Sequence, residues 1–424
     1  MTPEGTLGRR AFVTQGLAAG LSAAGFAALP SHALAQARMP RLRRGINVWP
    51  WFSLTKEYPA PRTDYAWPPY QDQRPVPRPA DLRRLRTAGF DFLRIPVDPG
   101  PFLAFGQPQR GALLGLLTDA VTRSLDADLS VVVNLQINEA THHFTSSRLI
   151  AGTQAPDFAG YGALVGEVAG ALARIGGGRV ALEPVNEPPQ GCGSAEWDGV
   201  QLALLRRARA AAPGLPLVAT GACGGMIPGL EALDPAPILA LAPVFFTFHY
   251  YEPYLFSHQG APWMREPVYR ALNAVPWPAS AGSLEATLAA VRRRIAADTV
   301  LSAAAKASAY AETERVLTQY FDAWPDRPFV DHAMARVSAY ARRHAIPPEH
   351  IVLGEFGALR SDARYVAAPA PDRARYIRDV RLSAEAAGFP WAFWNLFDGM
   401  GLIDDTTRVF DRAIADALGV GAPD

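Results

Sequence analysis

Eight short apolar runs alternate with stretches of helical periodicity along this chain, and that alternation limits its fold more than any other feature. The runs are Gly45–Trp49, Phe90–Val97, Leu129–Gln136, Val180–Pro189, Leu215–Thr220, Pro243–His249, Ile351–Glu355 and Pro390–Asn395. Each is short and bounded by turn residues, which suits a buried strand better than a helix. Between them, helical patterns cover about 81–88, 111–127, 157–174, 196–212 and 372–387. Strands alternating with helices predict parallel β/α architecture. Eight such units favour a closed (β/α)8 TIM barrel over an open doubly wound sheet. No Gly-x-Gly-x-x-Gly follows an early strand, which argues further against a dinucleotide fold. Roughly a hundred residues separate the sixth and seventh strands and read as a helical insertion. Residues 50–79, rich in Pro, Tyr and Trp, read as a loop.

The N-terminus stands apart from this pattern. Gly8-Arg9-Arg10-Ala11-Phe12-Val13 precedes an Ala/Gly/Leu-rich run to about Leu29, then the small-x-small site Ala33-Leu34-Ala35. Paired arginines before a mildly apolar run resemble a twin-arginine export signal. A membrane anchor is the competing reading, because the run approaches spanning length. Pro30 and the cleavage site favour removal, so residues 1–35 are expected to be a signal peptide and 36–424 one exported domain, periplasmic or secreted. With 49% hydrophobic residues among 424, the chain has ample material for a core. A net charge of +1 gives no reason to expect a nucleic-acid partner. Cys192 and Cys223 are the only cysteines, and neither Cys-x-x-Cys nor His-Glu-x-x-His occurs. Zinc therefore has no motif, and no metal or organic cofactor is expected.

In a closed parallel barrel the carboxyl ends of all strands meet at one face, where chemistry sits. Val180–Pro189 strands Glu187 at such an end, and Ile351–Phe356 delivers Glu355 in the same way. One such glutamate is as well read as a structural ion-pair partner; two suggest a paired-carboxylate site. The other strand endings supply Arg94, Gln136, Asn186, His249, Tyr251 and Trp394. A guanidinium near Glu355 would favour its ionised form. The Asn186 amide suits a sugar hydroxyl, and a tryptophan at a strand mouth suits the apolar face of a sugar ring. His142 and His143 read as ordinary loop residues.

Five segments in order, Leu93-Arg94-Ile95-Pro96, Asn186-Glu187-Pro188, His249-Tyr250-Tyr251, Gly354-Glu355-Phe356 and Trp391-Ala-Phe-Trp394, resemble glycoside hydrolase family 5, the cellulase-type (β/α)8 hydrolases. The resemblance covers nearly all of the chain beyond the signal. It implies that Glu187 is the general acid/base and Glu355 the nucleophile of a retaining mechanism, with the carboxyl groups about 5–5.5 Å apart. It implies that Arg94 and Tyr251 support the nucleophile, that His249 orders polar groups near the acid/base, that Asn186 binds the 2-hydroxyl, and that Trp394 floors the subsite at the cleaved bond. One position departs from the family pattern: the third strand usually ends in histidine, and here Gln136 stands there.

The expected activity is that of an exported, monomeric retaining β-glycoside hydrolase cleaving a β-linked glucan, endoglucanase-like. An exo-acting β-glucosidase, a β-mannanase and an exopolysaccharide hydrolase are alternatives. Trp49, Trp51, Trp67, Trp263 and Trp277 are candidate sugar platforms. A non-catalytic polysaccharide-binding barrel is disfavoured by retention of both glutamates. A metal-dependent barrel hydrolase would want His-x-His after the first strand, and Gly45-Ile-Asn-Val has none. Cys192 follows the fourth strand and Cys223 the fifth, neighbours in a barrel, so a disulfide between them is expected to tie down the loop after Glu187.

Overall fold

In the computed structural model, residues 39–175, 178–264 and 266–423 are described, and the expected signal segment at residues 1–35 lies outside them. Eight strands form one closed parallel sheet: β1 (Arg44–Asn47), β2 (Phe92–Val97), β3 (Ser130–Leu135), β4 (Val180–Glu183), β5 (Leu217–Thr220), β6 (Val244–His249), β7 (Ile351–Glu355) and β8 (Trp391–Phe393). Each pairs with its neighbour in sequence, and β1 closes the ring by pairing with both β2 and β8. The expected (β/α)8 barrel is therefore the observed fold.

Strand residues alternate between the barrel interior and the surrounding helices, because successive side chains point to opposite faces. The inward set begins with an apolar plug of Phe92, Val132, Ala181, Val218, Phe245, Val352 and Ala392, one from each of β2–β8, with Leu42 beside them. A Cβ on Gly45 of β1 would lie 2.3 Å from the Phe92 ring, so glycine is required where that ring fills the interior. Two residues further along, the interior turns polar. Asn47, Arg94, Asn134, Glu183, Thr220 and Thr247 are all buried. The outward set, including Ile46, Leu93, Ile95, Val131, Leu182, Phe246 and Leu353, joins the main core under the helices. Each such side chain contributes about 1.5–3 kcal/mol by leaving water.

Local signals place the helices close to expectation. The first begins at Pro79 rather than Asp81, because Asp81 occupies the third helical position and accepts the Arg78 backbone N–H at 2.9 Å. It ends at Ala88, where Gly89 adopts φ +111°. The insertion between β6 and β7 is helical, with long helices at Leu284–Ala297, Ala303–Ala323 and Arg327–Arg343.

The stretch 50–79 is not simply a loop: Thr55–Glu57 pairs antiparallel with Tyr65–Tyr70 as a hairpin. Prolines within Tyr65–Tyr70 mask the strand pattern, yet an isolated two-stranded ribbon has open edges that tolerate a missing donor. Among the described residues, no helix is long and apolar enough to cross a membrane.

Candidate active site

Arg94 organises the polar floor of the barrel. Its guanidinium has five N–H donors, and each meets an acceptor. Nε and Nη2 donate to the two Glu183 oxygens, both at 2.8 Å. Nη1 donates to Asn47 Oδ1 at 2.9 Å and to Glu355 Oε1 at 2.7 Å. Nη2 also donates to Asn186 Oδ1 at 2.6 Å. Burial opposes the charge on Arg94, but Glu183 and Glu355 hold its pKa above the ordinary arginine value. Glu183 belongs to this buried network, and sequence reading missed it because it lies inside what reads as an apolar run. Its signal was the two-residue step from Ala181, which turns it into the barrel beside Arg94.

Glu355, at the end of β7, is buried, and its second oxygen accepts the Tyr251 hydroxyl at 3.0 Å. Burial raises its pKa, with His249 and then Arg94 pulling it back. The expectation that Arg94 favours its ionised form is thus met in direction, but desolvation outweighs the arginine. His249 ends β6, with Nδ1 2.7 Å from Glu187 Oε1 and 3.6 Å from Glu355 Oε2. Burial disfavours its charged ring, yet Glu355 and Glu187 together raise its pKa above the ordinary histidine value. The ring lies against Gly354, where a Cβ would come within 3.1 Å of His249 Nε2 and 2.4 Å of Thr247 Oγ1. That clash explains the glycine immediately before Glu355.

Glu187 lies beyond β4, which stops before Pro184, a residue that lacks the N–H for a further ladder bond. The Tyr161 hydroxyl caps the Pro184 carbonyl, and Asn186 N donates to Leu135 O at 3.1 Å. This turn lifts Glu187 to the cleft, with its side chain 40% exposed. One oxygen each of Glu187 and Glu355 and one ring nitrogen of His249 lie within 4.8 Å of one another. Such a trio has the donor types of a metal site. Here both Glu355 oxygens already receive donors and a guanidinium abuts the carboxylate, so the arrangement suits proton transfer and nucleophilic attack better than cation binding.

The disulfide between Cys192 and Cys223 is present. Cys223 N donates to Gln190 O at 2.8 Å and Gly224 N to Pro188 O at 2.9 Å, while Gly225 O accepts from His249 N at 2.9 Å. The bridge thus joins the loop after Glu187 to the loop that supports His249. A cleft of about 280 Å3 opens beside Glu187, lined by Trp49, Asp98, Gln136, Asn138 and Asn186 among others. Gln136 is at this site as expected, and its Oε1 is buried without a protein partner among the described residues.

Trp394 is part-buried and packs on the apolar cluster of Tyr251 and Met400. Trp263 is 50% exposed, its ring edge-on to Tyr365 at 6.1 Å. Trp67 is exposed on the hairpin against Phe105. Trp277 is a correction: it is completely buried against Phe256 and Tyr376, with Nε1 donating to Asp379 at 2.9 Å, so it offers no face to a sugar. Trp51 is likewise buried. Sequence alone could not separate these indoles, because the partner that satisfies the Trp277 N–H lies about a hundred residues away. His142 and His143 give their backbone N–H groups to Glu57 of the hairpin rather than facing the carboxylate pair.

The family model for cellulase (glycosyl hydrolase family 5) matches residues 61–399. Among solved structures, cellulose synthase subunit Z (CcsZ) from Clostridioides difficile is similar with TM-score 0.62 and 20% identity over 89% of this chain and 99% of that one. Endoglucanase Cel5A from Thermotoga maritima is similar with TM-score 0.60 and 18% identity, covering 89% and 96%. A hyperthermophilic endo-β-1,4-glucanase gives 0.59 and 21%, covering 89% and 97%. At those identities the structural likeness speaks to the fold alone. No curated protein sequence matches significantly. The family match runs from within the hairpin to just beyond β8 and so contains both glutamates and every barrel strand but the first; on that extent the chain belongs to glycosyl hydrolase family 5, the cellulase family.

Proposed function

We propose that the protein is a retaining β-glycoside hydrolase that cleaves a β-linked glucan by double displacement. The observation that carries this reading is the approach of one Glu187 carboxylate oxygen to within 4.8 Å of one Glu355 carboxylate oxygen. Retaining enzymes hold the two groups about 5–5.5 Å apart, whereas inverting enzymes need about 6.5–9.5 Å to admit water between them. In this reading Glu355 attacks the anomeric carbon as Glu187 protonates the departing oxygen. Glu187 then takes a proton from water, which attacks the glycosyl ester and releases the sugar with its configuration retained.

The supporting residues have matching chemistry. Arg94 and Tyr251 hold both Glu355 oxygens, fixing the nucleophile's direction. Arg94 also occupies Asn186 Oδ1, which leaves the amide Nδ2 to meet the sugar 2-hydroxyl. His249 steadies Glu187 from beneath while Glu187 remains open to the leaving group. Trp394 is the stacking floor, and the cleft beside Gln136 accepts a further part of the glycan. Two of the structurally similar proteins are described as endoglucanases, which favours an internal β-1,4-glucan bond as first substrate. Export through the N-terminal twin-arginine-type segment belongs to the same proposal.

A panel of β-glucans, β-mannans and exopolysaccharides, with product sizing, tests substrate and endo or exo action. Glu187→Gln and Glu355→Gln should each abolish hydrolysis while keeping the fold; undiminished turnover in either would remove the assignment. An initial product of inverted anomeric configuration would overturn the double displacement.

A further inference from the structure

Asp98 follows directly on β2, is 2% exposed, and takes no part in the chemistry above. Its carboxylate gathers donors from three separate segments. Oδ1 accepts the Gly100 backbone N–H at 2.8 Å. Oδ2 accepts the Thr55 hydroxyl at 3.0 Å and the Asn138 Nδ2 at 3.2 Å. Its backbone N–H reaches back to Phe52 O at 2.9 Å, and Gln136 N donates to the neighbouring Val97 O at 2.8 Å. One residue thereby bridges the β1 loop with its hairpin to the β3 loop.

Both loops line the cleft next to Glu187. Ser53 and Leu54 come from the first of them, and Gln136, Ile137, Asn138 and Glu139 from the second. The hairpin is seated on the same corner: the Tyr65 hydroxyl sits 2.2 Å from where a Gly100 Cβ would be, so no larger residue fits there. A second latch lies further out, where Glu57 accepts the His142 and His143 N–H groups. Burial pushes the Asp98 pKa up to about 6, against the Gly100, Thr55 and Asn138 donors that favour the ionised form. A carboxyl group kept in so unfavourable a place needs a reason beyond filling space, since an apolar residue there would avoid the desolvation cost.

We propose that Asp98 is a positioning residue for substrate binding, fixing the hairpin and the β3 loop at the separation that shapes the cleft beside Glu187. It acts through Thr55 and Asn138 rather than on the reacting atoms, so it governs how tightly the glycan seats and not how fast the bond breaks. The inference rests on the glycoside hydrolase reading of the site.

The test is steady-state kinetics of the full chain on β-1,4-gluco-oligosaccharides of two to five units. Asp98→Ala leaves the Thr55 and Asn138 donors without their acceptor and should raise KM about tenfold, with kcat within about threefold. Asp98→Asn, which keeps the shape and one acceptor, should restore KM to within about threefold of wild type. A fall in kcat at unchanged KM, or no kinetic change in Asp98→Ala, overturns the proposal. If Asp98→Ala does not fold, Thr55→Val and Asn138→Ala provide the same readout, each raising KM about three- to fivefold; unchanged KM in both overturns it. Wild type inactive on every oligosaccharide and polymer would instead remove the hydrolase reading itself.

Discussion

Replacing Glu183 with glutamine probes the least visible part of the site. Glu183 is 1% exposed and pairs with Arg94 through two bonds of 2.8 Å, while Arg94 in turn directs Glu355 and Asn186. Removing one partner of a buried ion pair costs about 3–5 kcal/mol when the other charge is left uncompensated; here Glu355 still faces Arg94 at 2.7 Å. Glutamine sets an NH2 group against a guanidinium N–H, but it preserves the shape and one acceptor and Glu355 remains as counter-ion, so the lower end, about 3 kcal/mol, applies. At about 2.1 cal/mol/K per residue, each kcal/mol corresponds to little more than about 1 °C for a chain of this size, giving a midpoint lower by about 4 °C. The freed guanidinium also loses its orientation on Glu355, and kcat/KM should fall by more than about tenfold, since small misplacements of a catalytic group carry large rate penalties. Circular dichroism melting and Michaelis kinetics on the same preparation read both effects. A Glu183→Gln protein that melts within about 1 °C of wild type with unchanged kcat/KM would refute the idea that the Arg94–Glu183 pair supports the nucleophile.

Other expectations follow from the same geometry. Glu355 must be ionised to attack, and its pKa is raised chiefly by burial, so kcat/KM should fall as pH drops through a value above the ordinary glutamate range near about 4.3. Tyr251→Phe removes a donor to the charged form and should move that acid limb to still higher pH; a limb that stays put or moves down would contradict the assignment. The 31-residue separation of Cys192 and Cys223 gives a loop-closure contribution of about 3.5 kcal/mol, so the Cys192→Ser/Cys223→Ser double variant should show a correspondingly lower unfolding free energy in denaturant titration. Trp277→Ala should destabilise the fold by about 3–5 kcal/mol as a core truncation. Trp263→Ala should leave the melting midpoint in place and raise KM for longer glycans if its exposed ring carries substrate.

Reading the fold from the chain worked where the physics is local. Short apolar runs, helix-stopping Gly89 and the order of β/α units carry their meaning within a few residues, and the barrel follows from their number. The carboxylate pair was legible for a related reason: a closed parallel sheet sends every strand end to one face, so Arg94, Asn186, Glu187, His249, Tyr251 and Glu355 were bound to converge there. The Cys192–Cys223 bridge was legible too, through the adjacency of β4 and β5.

The hairpin at Thr55–Glu57 and Tyr65–Tyr70 was hidden by its prolines, and its place was decided by contacts with Asp98, Gly100 and the β3 loop. Trp277 and Trp263 look alike as letters, yet one is sealed by Asp379 and Tyr376 and the other stands half in solvent. The chain by itself determined which groups reach the mouth of the barrel. Only the tertiary structure decided which of them are held, by what, and with what charge, because Glu183, Arg94 and Glu355 come from strands 89 and 172 residues apart along the chain, and the balance of burial against neighbouring charge exists only once those strands are side by side.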